Sequence, residues 1–597
     1  MREFHVASHV TSIAMSNTAD LVYDNAKNRP DHVALRRRVD GEWRDVTDRM
    51  FADEVTALAQ GLIAAGVAPG DRIAIMSKTR YEWTLADFAV FAIGAVVVPI
   101  YETSSAEQVQ WILADSGARG VFVETDEHVG IVESVRDRTP ELAHVWQFDK
   151  GAVDSLVADG ADIPAEEVTR RREAVTLDDT ASIIYTSGTT GRPKGCRLLH
   201  RSFATECTEL AEILESFFNE STSTLLFLPI AHVFGRVIEI GALYVGCTLG
   251  HTADVQNLLD DLAAFRPTFV LAVPRVFEKV YNGAKQKAHA SGKGKIFDKA
   301  EAVAIACSKA VEGGSVPLRL KVQHAIFDRL VYSKLRAALG GKCVAAISGG
   351  APLGARLGHF FRGVGITVYE GYGLTETTAG ICVNRPGQLH IGTVGQPVGG
   401  VSVRIADDGE LVVRSPLVFA GYWNNDPATQ QAIDDAGWFH TGDLGEIDTE
   451  GFVRITGRKK ELIVTAAGKN VAPAVLEDRI RAHWLISQCL VVGDQRPFIA
   501  ALITIDPESW PVWLEEHGRA ADTELADVIE DPELQADVQA AIDDANKAVS
   551  KAESIRKFVI LAEDWTEQGG QLTPSLKLKR AVVHKEAADE IAALYSS

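Results

Sequence analysis

No two of the seven cysteines in this 597-residue sequence stand in a CxxC spacing, and their number is odd. Cys196, Cys207, Cys247, Cys307, Cys343, Cys382 and Cys489 are scattered, which excludes a disulfide framework or a clustered zinc site and fits a reducing compartment. The first residues, MREFHVASHVTSIAMSN, contain no continuous apolar stretch of the kind a secretory leader needs. The most apolar run, residues 88–100 (FAVFAIGAVVVPI), is too short to span a bilayer and is interrupted by Gly94 and Pro99. It predicts a buried helix end turning into a core strand. Base is scarce relative to acid: 60 Lys and Arg against 81 Asp and Glu leave a net charge of −21. A surface of that sign repels polyanions, which argues against broad binding to nucleic acid or to an anionic membrane, although a local basic patch can still hold a nucleotide or a polyphosphate. Internal repeats and low-complexity tracts are also absent. A cytoplasmic protein is expected, with peripheral contact to the inner face of a membrane left open.

What is present is a globular composition, 46% hydrophobic and 24% charged, on a chain too long for one core, so at least two domains are expected. Short β-rich runs at 72–76, 120–123, 224–228, 268–272 and 343–347 alternate with amphipathic segments such as 51–65 and 255–265. That alternation predicts α/β architecture with largely parallel sheets and flanking helices. Residues 285–339 are strand-poor and rich in Ala, Lys and Leu, and read as inserted helical hairpins. After about residue 401 the texture changes to short alternating strands, predicting a small antiparallel sheet or β-barrel. From 458 a compact α+β pattern begins, with strands near 489–492 and 500–505, an acidic helical stretch at 520–549 and a basic end. The boundary is placed between 456 and 457, giving domains 1–456 and 457–597, because Gly457 has a freely adjustable backbone.

Residues 185–195, YTSGTTGRPKG, carry the strongest chemical pattern. A strand end is followed by hydroxyl residues, glycines and a lysine. Gly188 and Gly191 let backbone N–H groups approach phosphate oxygens, Thr186, Ser187, Thr189 and Thr190 add neutral donors, and Lys194 adds a mobile cation. A Walker A loop cannot be laid over these residues.

With that loop in view, the chain resembles the adenylate-forming superfamily of acyl-CoA synthetases, luciferases and peptide-synthetase adenylation domains. Six further blocks appear in the family's order: LPIAHVFGR (228–236), SGGAPL (348–353), YEGYGLTET (369–377), WFHTGD (438–443), GRKKE (457–461) and LTPSLKLKR (572–580). The resemblance covers roughly residues 20–590. It implies a large N-terminal domain that binds ATP and acyl substrate, and a small mobile C-terminal domain carrying a catalytic lysine.

The resemblance also implies roles. Gly349, Gly350 and Ala351 would run along the adenine. Tyr372, between Gly371 and Gly373 and after Glu370, would offer its π face to the base. Glu376, after Thr375, is a hard oxygen ligand suited to Mg²⁺, with Thr186 as the second metal-side residue. Asp443 would accept from the ribose hydroxyls, although alone it also reads as an Asx-turn after Gly442. His232, alone more often a core histidine, is assigned to the acyl pocket and its gate. Arg458 and Lys460 would contact nucleotide beside a hinge; many relatives have Asp there, where this chain has Gly457. Gly468 would border the pantetheine arm of coenzyme A. Lys577 sits in a basic run that alone is a solvated face. Yet carboxylate attack on the α-phosphate builds negative charge from two anions, which a positioned lysine stabilises in the transition state.

Residues 327–353 (FDRLVYSKLRAALGGKCVAAISGGAPL) and 493–506 (GDQRPFIAALITID) resemble the long-chain fatty acyl-CoA synthetases. Each methylene of such a substrate gains about 0.8 kcal/mol on burial, so an apolar tunnel is expected. Residues 458–476 lack the insertion that fatty acyl-AMP ligases carry. The expectation is therefore an AMP-forming ligase acting on long-chain fatty acid, ATP, Mg²⁺ and coenzyme A. An acyl-adenylate former with another acid or acceptor is the alternative, and a homodimer stays open.

Overall fold

The computed structural model describes all residues except 11, 12, 14, 187–191, 254–256, 574–576 and 597. The apolar run at 88–100 is the end of helix Tyr81–Ala92 followed by strand Val96–Ile100, with Gly94 at φ +73° making the reversal between them. That strand is central in a six-stranded sheet ordered His144–Gln147, Ala118–Val123, Arg72–Met76, Val96–Ile100, Thr180–Thr186, Lys194–Leu199. All neighbours are parallel except the last pair.

A second sheet runs Phe269–Ala272, Ala345–Ser348, Thr367–Leu374, Ala379–Val383, Gln396–Pro397, parallel over its first three strands. A third, four-stranded sheet ends in the hairpin Val33–Val39/Glu42–Thr47. Where helices cover both faces, as at Arg72–Met76 and Val96–Ile100, the strands read as continuous apolar runs, whereas the hairpin of the third sheet keeps charged residues at the surface. One hydrophobic core joins the second and third sheets and one face of the first; the other face of the first sheet packs a smaller core of its own. The inserted helices are Pro274–Ala290, Gly294–Glu312, Leu318–Phe327 and Ser333–Ala338, the last two joined by a π-helical turn.

The strands after residue 401 form an antiparallel sheet of Glu3–His5, Ser402–Ile405, Glu410–Arg414, Phe439–Ile447 and Val453–Arg458. Its edge strands, Glu3–His5 and Val453–Arg458, do not pair with each other among the described residues, so of the antiparallel sheet and the barrel that the strand pattern allows, the open sheet forms. The edge strand at the N-terminus was not anticipated, since three residues carry too little periodicity to register. Gly457 lies inside the last strand, opposite Leu444, and not in a loop between domains.

Beyond it, strands Ile486–Val492, Ile499–Ile505 and Ile555–Leu561 pack helices Pro473–Arg481 and Pro532–Asn546 around one core and helices Arg580–Glu586 and Ala588–Tyr595 around another. This C-terminal unit docks on the larger one through polar contacts: Lys279 to Glu508 at 2.8 Å, and Arg356 to the Ala482 carbonyl at 3.0 Å.

Candidate active site

Parallel strands end together at the C-terminal edge of a sheet, where loops and helix N-termini leave a crevice. Here Thr186, Gly349 and the 371–374 segment all follow or close such strand ends, and they border one cavity of about 750 Å³. Lys194, His232, Gly350, Thr375, Glu376, Arg458, Lys460 and Lys577 line the same cavity. Residues from the nucleotide-side blocks and from the C-terminal unit are thus brought to one space. Ser187, Gly188, Thr189, Thr190 and Gly191 lie outside the described residues.

Gly350 adopts φ +83°, and a Cβ there would sit 4.0 Å from the Lys577 side chain, so the loop after Ser348 passes flat beneath the lysine. Gly373 is forced by a close approach: a Cβ would fall 1.3 Å from the Ala379 carbonyl oxygen. Ala379 and Thr378 themselves hold positive φ, strain that packing around the turn must support.

Lys577 is presented by a tight return of the chain. Its N–H donates to Thr573 Oγ1 at 3.0 Å, and its carbonyl accepts from the Thr573 N–H at 2.8 Å. The ammonium keeps accessible surface within the cavity, yet desolvation, then repulsion from Arg458, lowers its pKa. His232 caps helix Val233–Val245, its Nδ1 accepting from the Phe234 N–H at 3.1 Å. Burial, with Lys577 adding to it, pulls the imidazole down to about 3, so at ordinary pH it is neutral and is not an imidazolium proton donor.

Asp443 is buried just behind the cavity wall. Its carboxylate accepts from the Tyr372 hydroxyl at 2.6 Å and the Arg458 Nε at 2.7 Å. Burial and this carboxylate push the Tyr372 phenol well above its usual range, so it stays a donor. Glu376 accepts from the Tyr422 hydroxyl at 2.9 Å, and the Lys194 ammonium lies 4.9 Å from the centre of the Tyr422 ring. Burial and the nearby Glu376 carboxylate push the Cys196 thiol well up while Thr186 acts on it in the opposite sense, and Thr186 and Glu376 both line the cavity. A hydroxyl and a carboxylate oxygen so arranged fit a hard divalent cation such as Mg²⁺.

Besides Asp443, three further expected residues are not on the cavity wall. Glu370 turns inward, accepting from the Leu353 N–H at 3.0 Å; burial raises it to about 7, and its role here is to fix the 349–353 loop. Ala351 is exposed beyond the Gly350 turn. Gly468 lies in an exposed turn closed by its N–H to the Thr465 carbonyl at 2.8 Å. Two residues escaped sequence reading, Tyr422 at the cavity and Arg236 in the core beside it. Tyr422 lies outside every recognised block, and the only hint was an aromatic after Gly421. Arg236 closes the 228–236 block but was given no role. It is fully buried, paired with Asp87 at 2.8 Å and ringed by Trp83, Phe91 and Phe203.

Leu210, Leu214, Val237, Ile238, Ile347 and Val383, supplied mainly by helices His200–Leu214 and Val233–Val245, make much of the cavity wall apolar, interrupted by the buried Glu206 carboxyl that accepts from the Gly380 N–H. One cavity therefore combines a cationic, oxygen-rich mouth with a largely apolar interior.

A fold and site of this kind define a nucleotide-dependent activating enzyme. The chain belongs to the AMP-binding enzyme family: residues 22–423 match that family, and residues 460–597 match its C-terminal domain. It is 52% identical over the full length of both chains to the long-chain-fatty-acid–CoA ligase FadD15 of Mycobacterium tuberculosis. It is 29% identical to the long-chain-fatty-acid–CoA ligase ACSBG2 of Xenopus laevis, across 98% of this chain and 85% of that one. Among solved structures, the adenylation domain of a carboxylate reductase from Mycobacterium chelonae matches at TM-score 0.77 and 21% identity, covering 98% and 92% of the two chains. ATP-bound MatB from Rhodopseudomonas palustris matches at TM-score 0.71 and 22% identity, covering 96% and 100%. No helix of the described residues is long and apolar enough to cross a membrane.

Proposed function

We propose that the protein is a long-chain fatty acid–CoA ligase that forms an acyl-adenylate from fatty acid and ATP, then passes the acyl group to coenzyme A. The observation that carries this reading is the convergence of Lys577, Arg458, Gly350 and Glu376 on a cavity whose interior is largely apolar. In the first step a carboxylate oxygen attacks the α-phosphorus and pyrophosphate leaves. Lys577 holds its ammonium where negative charge grows, and charge that is fixed before the reaction costs no reorganisation during it. Thr186 and Glu376 would hold Mg²⁺, which when bound neutralises phosphate charge. Asp443 and Tyr372 orient the nucleoside, Arg458 and Lys460 contact its phosphate side, and neutral His232 walls the acyl chain from the nucleotide. In the second step the coenzyme A thiol attacks the acyl carbonyl and AMP leaves.

Access for that thiol requires Lys577 to move. We take residues 1–456 and 457–597 as the two domains, turning about the strand end at Gly457 and Arg458. Their separate cores and separate family matches support the division. Such a turn would bring Gly468 from its exposed position toward the pantetheine path. The reaction needs no secreted or membrane-spanning segment, and a cytoplasmic location is part of the reading.

A pyrophosphate-release screen over acids from acetate to long-chain fatty acids, with and without coenzyme A, tests the proposal. Release that depends on long-chain acid, with AMP released only when coenzyme A is added, is expected. Acid-dependent pyrophosphate without coenzyme A-dependent AMP would favour a fatty acyl-AMP ligase. Absence of acid-dependent pyrophosphate would overturn the reading.

A further inference from the structure

The charge of the chain is unevenly placed. Residues 285–342 carry twelve Lys and Arg against four Asp and Glu, a net +8 within a protein of net −21. The same segment holds six of the twelve exposed large hydrophobic residues among those described: Ile296, Val311, Leu318, Val322, Ile326 and Leu330. Leu318, Val322 and Ile326 stand at i, i+4 and i+8 of helix Leu318–Phe327 and so share one face, 78%, 54% and 53% exposed. Leu330, 51% exposed, continues beyond it in the π-helical turn. Arg319, Lys321, Arg329 and Lys334 are exposed around this stripe and make no ion pair among the described residues, whereas Asp328 is taken up by Arg336 at 2.7 Å.

We propose that this helix is a membrane-docking surface that lies on a bilayer containing anionic lipid. An apolar helical face fringed by unpaired cations is the pattern of an interfacial helix: the face enters the acyl boundary and the cations meet lipid phosphates. Charge complementarity selects that occupant. A second copy of this chain would present a largely acidic surface but would leave four aliphatic side chains to find an apolar counterpart, while an anionic bilayer satisfies both features at once. The helix docks without opening the molecule, because its inner side already packs on helix Gly294–Glu312. The inference stands on this face alone and does not depend on which acid the cavity activates.

Co-sedimentation of the full chain with vesicles of phosphatidylglycerol and phosphatidylcholine, without fatty acid, tests it. Binding to the mixed vesicles is expected, with roughly tenfold less on pure phosphatidylcholine. Leu318→Ser/Val322→Ser/Ile326→Ser should abolish binding, and Arg319→Glu/Lys321→Glu should lower it roughly tenfold or more, while circular dichroism and ATP binding stay unchanged. Equal binding of wild type and both variants would overturn the proposal. So would a wild-type dimer in solution that the serine variant converts to monomer without any vesicle binding, since the face would then belong to a second copy.

Discussion

Arg458 and Asp443 are direct cross-strand partners, and the guanidinium Nε sits 2.7 Å from the carboxylate. The pair joins the last strand before the C-terminal unit to the residue that fixes Tyr372, so the nucleotide wall and the domain junction share one carboxylate.

Asp443→Ala should therefore do two things at once. It strands a buried Tyr372 hydroxyl, costing about 1–3 kcal/mol of stability, and it raises the KM for ATP well above tenfold. Asp443→Asn, which keeps the acceptor for Tyr372, should recover most of the thermal stability but not the ATP affinity. Melting curves read beside initial rates separate the two effects.

Lys577→Ala should slow adenylate formation by about two to three orders of magnitude, the scale of removing one preorganised charge from a transition state. Thioester formation from a preformed acyl-adenylate should be nearly unaffected. Equal loss in both half-reactions would show that the lysine does not act on the α-phosphate.

The pH dependence follows from two groups. Only the ammonium form of Lys577 stabilises the developing charge, so adenylation is present below its pKa and lost above it. Burial and Arg458 lower that pKa, placing the falling limb below the ordinary lysine value of 10.5. Lys577→Arg should retain residual activity and push the limb out of range, since arginine stays charged. His232, held at about 3, should contribute no inflection near pH 6.5. A wild-type acid limb there that vanishes in His232→Gln would refute that protonation state.

Tyr422→Phe removes the donor to Glu376 but keeps the ring, packed 4.7 Å from Phe419. The loss of one hydrogen bond to a charged acceptor, about 1.5–3 kcal/mol, should raise the Mg²⁺ concentration for half-maximal adenylation at least severalfold. Titration of Mg²⁺ at saturating ATP measures it.

Asp87→Ala removes the ion-pair partner of the buried Arg236 and leaves it only Glu239, whose carboxyl burial pushes well up towards the neutral form, and should destabilise the large unit by about 3–5 kcal/mol. The double variant Asp87→Leu/Arg236→Met should recover much of that, because neither charge then remains. Thermal unfolding of the three proteins is the comparison.

The strand–helix alternation, the inserted helices and the order of the nucleotide-side blocks were legible in the sequence because each rests on local periodicity or on contiguous residues. Helix Tyr81–Ala92 and strand Val96–Ile100 follow directly from one apolar run and one glycine. Glu370 misled because residues two apart on a regular strand share a face, so nothing in the spacing signalled that Glu370 accepts from the Leu353 N–H instead of facing the cavity with Tyr372. Tyr422 was invisible for the converse reason, since its partner Glu376 is distant in sequence and reaches it only through the packing of the turn at Phe419.

By itself the sequence determined which elements form, because apolar spacing and glycine placement act within a few residues, and it supplied the chemical groups for phosphate, metal and acyl chain. Tertiary structure alone decided that Lys577 meets Gly350 and Arg458, that Asp443 serves Tyr372 and Arg458 together, and that the antiparallel sheet stays open. Those outcomes depend on how distant surfaces pack and on the low dielectric this creates, and no local pattern encodes either.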